Sequence, residues 1–186
     1  MTTWDEWTRP DFDTWALGIA EAISLRGDCT RRRVGAVLLD RHNRLIGAGY
    51  NGTRPGGKSC LKGDCPRGLH HRLKDPYKRV CSSCREDSLC CSDCVFLFRC
   101  ACGKEWPPGG CEDSVPPNSS YDTGPGECIS SHAEQNAVAD VESRYRMDGA
   151  TLYVTTEPCP GCIRQIRNTT GIIRIVWPEG ELDLRG

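Results

Sequence analysis

Apolar residues recur at helical spacing over residues 10–26, where Phe12, Trp15, Ile19 and Ile23 share a face and Gly27 follows the last of them. This pattern predicts an amphipathic helix. Residues 33–40 (RVGAVLLD) and 45–51 (LIGAGYN) then read as two short strands, and the polar link Arg41-His42-Asn43-Arg44 suits a hairpin. A helical period returns over 130–146, with Ala133, Ala137, Val138 and Val141 on one face. Residues 150–156 (ATLYVTT) predict a strand, 160–170 a shorter helix, and 172–177 (IIRIVW) a last strand.

No period is sustained between residues 52 and 127, where Gly, Pro and Cys dominate. A structureless loop that long is unusual in a compact domain. Residues 66–125 are therefore read as a Cys-rich, zinc-organised insertion in a single domain spanning 1–186, with 107–126 resembling a linker. Outside it, helix, hairpin, helix, strand, helix and strand predict an α/β fold of three layers, with helices on both faces of a mixed sheet.

Composition narrows the function classes. The net charge is −1, from 24 basic and 25 acidic residues, whereas a domain built for long nucleic acid usually carries a basic excess. The balance favours a small-molecule substrate over nucleic acid. The basic stretch 67–79 is read as a solvated loop. No apolar run approaches the roughly 20 residues of a membrane span, so no membrane association is expected. The acidic start (MTTWDEWTRPDFD) has no apolar signal core, so a cytoplasmic location is expected. Fourteen cysteines in such a chain point to metal rather than to disulfides.

The chemistry lies in Ser131-His132-Ala133-Glu134 and Glu157-Pro158-Cys159-Pro160-Gly161-Cys162, with twenty-three residues between Glu134 and Pro158. This H-x-E…P-C-x-x-C arrangement is an established signature of zinc nucleobase deaminases. A catalytic zinc takes three protein ligands and keeps a fourth position open for water. His132, Cys159 and Cys162 supply three, and two thiolates bring the site close to neutral. Cysteines at a helix start are stabilised as thiolates by its positive end. His132 and Glu134, two apart, do not share a helix face, so one can ligate while the other handles protons. Glu134 would take the proton of the attacking water and return protons to ring N3 and the departing ammonia. The competing reading is a structural site with Cys128 as fourth ligand and Glu134 as a bystander.

On these residues the chain resembles the deoxycytidylate deaminase family of the cytidine deaminase-like superfamily. Asp28-Cys29-Thr30 with Arg33-Val34-Gly35-Ala36-Val37, Gly49-Tyr50-Asn51-Gly52-Thr53, His132-Ala133-Glu134-Gln135-Asn136-Ala137 and Leu152-Tyr153-Val154-Thr155 carry the match. The resemblance covers about residues 10–65 and 126–178. It implies deamination of a cytosine deoxynucleotide such as dCMP, with 5-substituted forms left open and a base within nucleic acid as the alternative. It also implies that Asn51 touches the sugar, that backbone at Ala133 meets the base carbonyl, and that Tyr153 sits beside the pyrimidine. Asn51 also reads as an Asn-Gly turn residue, and Tyr153 as core packing on a strand. Thr53 and Arg54 follow in the same glycine-rich loop, where Arg54 offers a fork for phosphate. A homo-oligomer is expected. Two departures stand out: the insertion, and the short tail after Trp177, where the family usually continues with a further strand and helix.

The resemblance further implies a structural zinc at Cys60, Cys65 and Cys128, with Cys29 as a candidate fourth ligand. Cys29 and Cys128 also suit small buried hydrophobes. The insertion adds eight cysteines, of which Cys81, Cys84, Cys91, Cys94, Cys100 and Cys102 have spacings suited to one or two zinc ions.

Overall fold

The computed structural model describes residues 8–29, 31–62, 64–65 and 128–185, together with the backbone of three short strands at 79–81, 96–99 and 105–106. The chain divides into two compact units, one of residues 1–29, 33–52 and 131–186, the other of 30–32 and 53–130.

In the first unit, helix α1 spans Phe12–Ser24 and starts where the Asp11 side chain accepts the Thr14 N–H at 2.7 Å. Strands β1 (Gly35–Leu39) and β2 (Leu45–Tyr50) form the expected hairpin. Its turn is held by Asp40, whose carboxylate accepts the N–H groups of His42 and Arg44, while Asn43 takes the left-handed conformation at φ 59°.

Strands β3 (Arg79–Cys81), β4 (Phe96–Arg99) and β5 (Glu105–Trp106) make a three-stranded antiparallel sheet in the second unit. The remaining insertion residues, with Cys84, Cys91, Cys94, Cys100, Cys102 and the side chain of Cys81, lie outside the described residues, as does the basic stretch up to Arg79.

The first unit continues with α2 (Ala133–Ala139), a 3-10 turn at Arg144–Met147, β6 (Thr151–Val154), α3 (Pro160–Thr169), β7 (Arg174–Trp177) and β8 (Gly180–Asp183). The sheet order is β2-β1-β6-β7-β8, with β6 and β7 parallel and the other pairs antiparallel. Alternation along the strands sends side chains to two cores. Leu38, Leu152, Val154 and Ile175 pack towards α2 and α3, whereas Val37, Leu39, Tyr153 and Val176 pack against Ala16 and Ala20 of α1. The three-layer α/β/α fold with a mixed sheet is as expected.

Three details differ. The buried face of α1 is Ala16, Ala20 and Ser24, while Phe12 and Trp15 stand nearly half exposed. Small residues win that face because β1 comes close: a Cβ on Gly35 would lie 2.0 Å from the Ala20 carbonyl oxygen. The helix expected over 130–146 ends at Ala139 instead. Asp140 caps it and gives its carboxylate to the Ala48 N–H of edge strand β2, at 3.1 Å. Finally, the tail after Trp177 forms a fifth strand, β8, paired with β7.

Candidate functional site

Two helix starts bring the site together. His132 is the N-cap of α2 and Cys159 the N-cap of α3, both with extended backbone. The segment before His132 is fixed by a bridge between Gly52 and Ser131, with hydrogen bonds of 3.2 and 3.0 Å. Asn136 adds a bond from Nδ2 to the Tyr50 carbonyl at 2.8 Å. Thr155, just past β6, is paired with Gly35 through backbone and side chain, and the chain then turns into α3. Pro160 starts that helix with its φ preset and no N–H to satisfy.

As a result, His132 Nδ1 lies 3.6 Å from Cys159 Sγ and 3.3 Å from Cys162 Sγ. All three ligand atoms fall within 4.8 Å of one another, and among the described residues this is the trio gathered to metal-binding reach. Tetrahedral zinc, with bonds near 2.3 Å to sulfur and 2.0 Å to nitrogen, sets a sulfur–nitrogen separation of about 3.5 Å. The donor set therefore fits zinc. Burial, then the Glu134 carboxylate, then Cys159 push the Cys162 thiol well up. Cys162 also gives its N–H to Cys159 Sγ at 3.4 Å.

Glu134 follows in the first turn of α2, 4% exposed, with its side chain beside Cys162. The structure thus brings together all four residues expected to carry the chemistry. Ala133 is fully buried against β2. Asn51 is likewise fully buried. Its carboxamide oxygen accepts the Val34 N–H at 2.8 Å, and its φ is not positive, so it is not a left-handed Asn-Gly turn residue. Tyr153 lies on the opposite face of the sheet. Its hydroxyl donates to Asp13 on α1 at 2.8 Å, so core packing describes it and a place beside the metal-binding trio does not. Alternation decides this: Leu152 and Val154 face α2 and α3, so Tyr153 faces away.

The second unit holds Thr53 and Arg54. Arg54 is exposed and begins a turn closed by its carbonyl and the Gly57 N–H at 2.9 Å, with Gly56 at φ 73°. Pro55 and Gly56 are what a type II turn requires. The Thr53 hydroxyl donates to the Lys58 carbonyl. Cys60 and Cys65 are buried thiols and Cys128 is half-buried, with Cys60 Sγ 3.3 Å from Ser130 Oγ. Cys29, in the first unit, is buried.

One residue at the site went unread in the sequence. Gln135 accepts the His132 N–H through Oε1 at 3.0 Å. The signal was present, because a Gln three residues after an N-cap is half of a capping box.

Residues 10–178 match the family model described as the cytidine and deoxycytidylate deaminase zinc-binding region. The chain belongs to this family. A deoxycytidylate deaminase of Mycobacterium phage D29 is 34% identical over 172 residues, covering 92% of this chain and 98% of that protein. A deoxycytidylate deaminase of Schizosaccharomyces pombe is 31% identical over 169 residues, covering 91% of this chain and 37% of that longer protein. A crystal structure of dCMP deaminase from cyanophage S-TIM5 with dCMP and dUMP aligns at a TM-score of 0.49 and 18% identity, covering 92% of this chain and 83% of that one.

Proposed function

We propose that this chain hydrolyses the exocyclic amine of dCMP, giving dUMP and ammonia, with zinc held by His132, Cys159 and Cys162. The observation that carries the reading is the meeting of these ligands, from two helix starts, beside the buried carboxylate of Glu134. When bound, zinc supplies a Lewis acid that lowers the pKa of water to about 7. Glu134 takes that water's proton and delivers protons to ring N3 and to the leaving ammonia. Its burial shields these transfers from bulk solvent. Backbone at Ala133 receives the base carbonyl and Asn51 orients the sugar, while the sequence offers Thr53 and Arg54, next along the chain, for the phosphate. Tyr153 has no part in substrate contact.

A second zinc at Cys60, Cys65 and Cys128 belongs to the same proposal, with further zinc at the insertion cysteines. The chain acts as a homo-oligomer, a reading supported by Phe12, Trp15 and Leu25, which leave α1 with exposed apolar surface. Among the described residues no helix is long and apolar enough to cross a membrane.

The test is a substrate panel of dCMP, 5-methyl-dCMP, CMP, deoxycytidine and single-stranded DNA, followed by loss of cytosine absorbance. dCMP should be consumed most efficiently. Turnover of DNA with dCMP untouched would replace this reading with the nucleic-acid one.

A further inference from the structure

Gln135 bonds in two directions. Its Oε1 accepts the His132 N–H at 3.0 Å, and its Nε2 donates to Gln165 Oε1 on α3, also at 3.0 Å. Gln165 lies three residues beyond Cys162, so the two occupy one side of α3. A closed circuit results. It runs from the His132 ring to Cys162 at 3.3 Å, along one turn of α3 to Gln165, across to Gln135, and back to the His132 backbone. One side of the circuit is the metal-binding trio and the other is the amide pair.

We propose that Gln135 and Gln165 are positioning residues: their bond fixes the spacing of α2 and α3 and so sets the ligand cage before metal arrives. The proposal rests on zinc binding at the trio. Neither helix can supply this constraint alone, because His132 comes from one and both cysteines from the other. His132 and Cys159 sit at the helix N-caps, where backbone is least tied to its own helix, and Cys162 follows in the first turn of α3. A bond between the helices one turn in limits their sliding. Groups that orient metal ligands from behind commonly change affinity when removed. Gln165 is exposed, so replacing it leaves no buried polar atom behind.

The experiment compares parent protein with Gln165→Met, Gln165→Glu, Gln135→Met and the Gln135→Met/Gln165→Met double variant. Zinc affinity is read by competition with a chromophoric chelator, and ligand geometry by the absorption of the cobalt(II)-loaded proteins. Metal lost in a His132→Ala control defines what belongs to this site. Gln165→Met should weaken zinc binding roughly three- to tenfold and shift the cobalt bands. Gln165→Glu keeps an acceptor for Gln135 Nε2 and should restore both readouts. The double variant should be no weaker than Gln135→Met alone, since that change already removes the bond that Gln165→Met removes. Parent affinity and spectrum in Gln165→Met, failure of Gln165→Glu to restore them, or additive losses would each overturn the clamp. A parent with the same metal content as His132→Ala would instead overturn the zinc reading beneath it.

Discussion

Gly49 of β2 lies so close to Ala137 of α2 that a Cβ on the glycine would stand 2.3 Å from the Ala137 nitrogen, and 2.5 Å from the Ala133 carbonyl oxygen. The contact sets how near the helix carrying His132 and Glu134 can approach the sheet. Gly49→Ala must push α2 outward. We expect a loss of about 1–3 kcal/mol, as overpacking of a filled core usually costs, together with weaker zinc retention. Denaturant midpoints and zinc content of the purified variant check this. Unchanged stability would mean that the helix has room to shift.

Much of this was legible in the sequence. His132, Glu134, Cys159 and Cys162 could be read because their spacing obeys a requirement of the metal, and local helix starts then deliver it. The two-layer covering of the sheet followed from periodicity. What could not be read depends on closeness between elements. The small face of α1 is chosen by Gly35, which is distant in sequence, and the early end of α2 by the edge strand that Asp140 serves. Tyr153 was ambiguous for a similar reason. A strand pattern shows that neighbours alternate but does not say which face meets the metal.

Glu134→Gln should retain fold and zinc while losing activity. Gln keeps the shape of the side chain but cannot move protons. General acid–base catalysis contributes about 10²–10⁴-fold, and the proposed mechanism sends several proton steps through this carboxylate. Steady-state kinetics and metal analysis on the same preparation decide it. Activity within tenfold of the parent would sink the mechanism.

Asp13 ties α1 to the far side of the sheet. It accepts from Tyr153 and from both terminal nitrogens of Arg174 at 3.0 and 2.7 Å, and Arg174 continues to Glu181. Arg174 lowers the Asp13 carboxyl below its ordinary value of 3.8; burial opposes this, and the Tyr153 hydroxyl lowers it further. A depressed carboxyl stabilises the fold above its unfolded value and stops doing so as pH falls through its folded one. Asp13→Asn should therefore cost up to about 1 kcal/mol near neutral pH, after solvent screening of the partly exposed pair. The gap from the parent should close below pH 3.8. Chemical denaturation at several pH values measures it, and a gap that widens in acid would contradict the sign.

Metal content separates the catalytic site from the other cysteines. Purified protein should carry two or more zinc ions per chain, because a Cys-rich insertion without a periodic apolar core folds around metal. Elemental analysis giving one zinc, with the remaining thiols freely titratable in native protein, would refute it.

The last expectation concerns phosphate. Arg54 is exposed, and its backbone is set by a turn that Pro55 and Gly56 define. Such a turn fixes where the side chain leaves the backbone, and its guanidinium offers a fork for phosphate. It equally suits a solvated loop residue, and kinetics tell the two apart. A charge-assisted bond to phosphate contributes about 1.5–3 kcal/mol, roughly ten- to a hundredfold in kcat/KM. Removing the phosphate from the substrate, by using deoxycytidine in place of dCMP, should cost about that much. Arg54→Ala acting on dCMP should cost about the same. On deoxycytidine the variant should match the parent, since both changes delete one interaction. Losses that add fully would assign the phosphate to another basic residue, Arg31 or Lys58. Equal efficiency of the parent on nucleotide and nucleoside would remove the monophosphate from the substrate claim altogether.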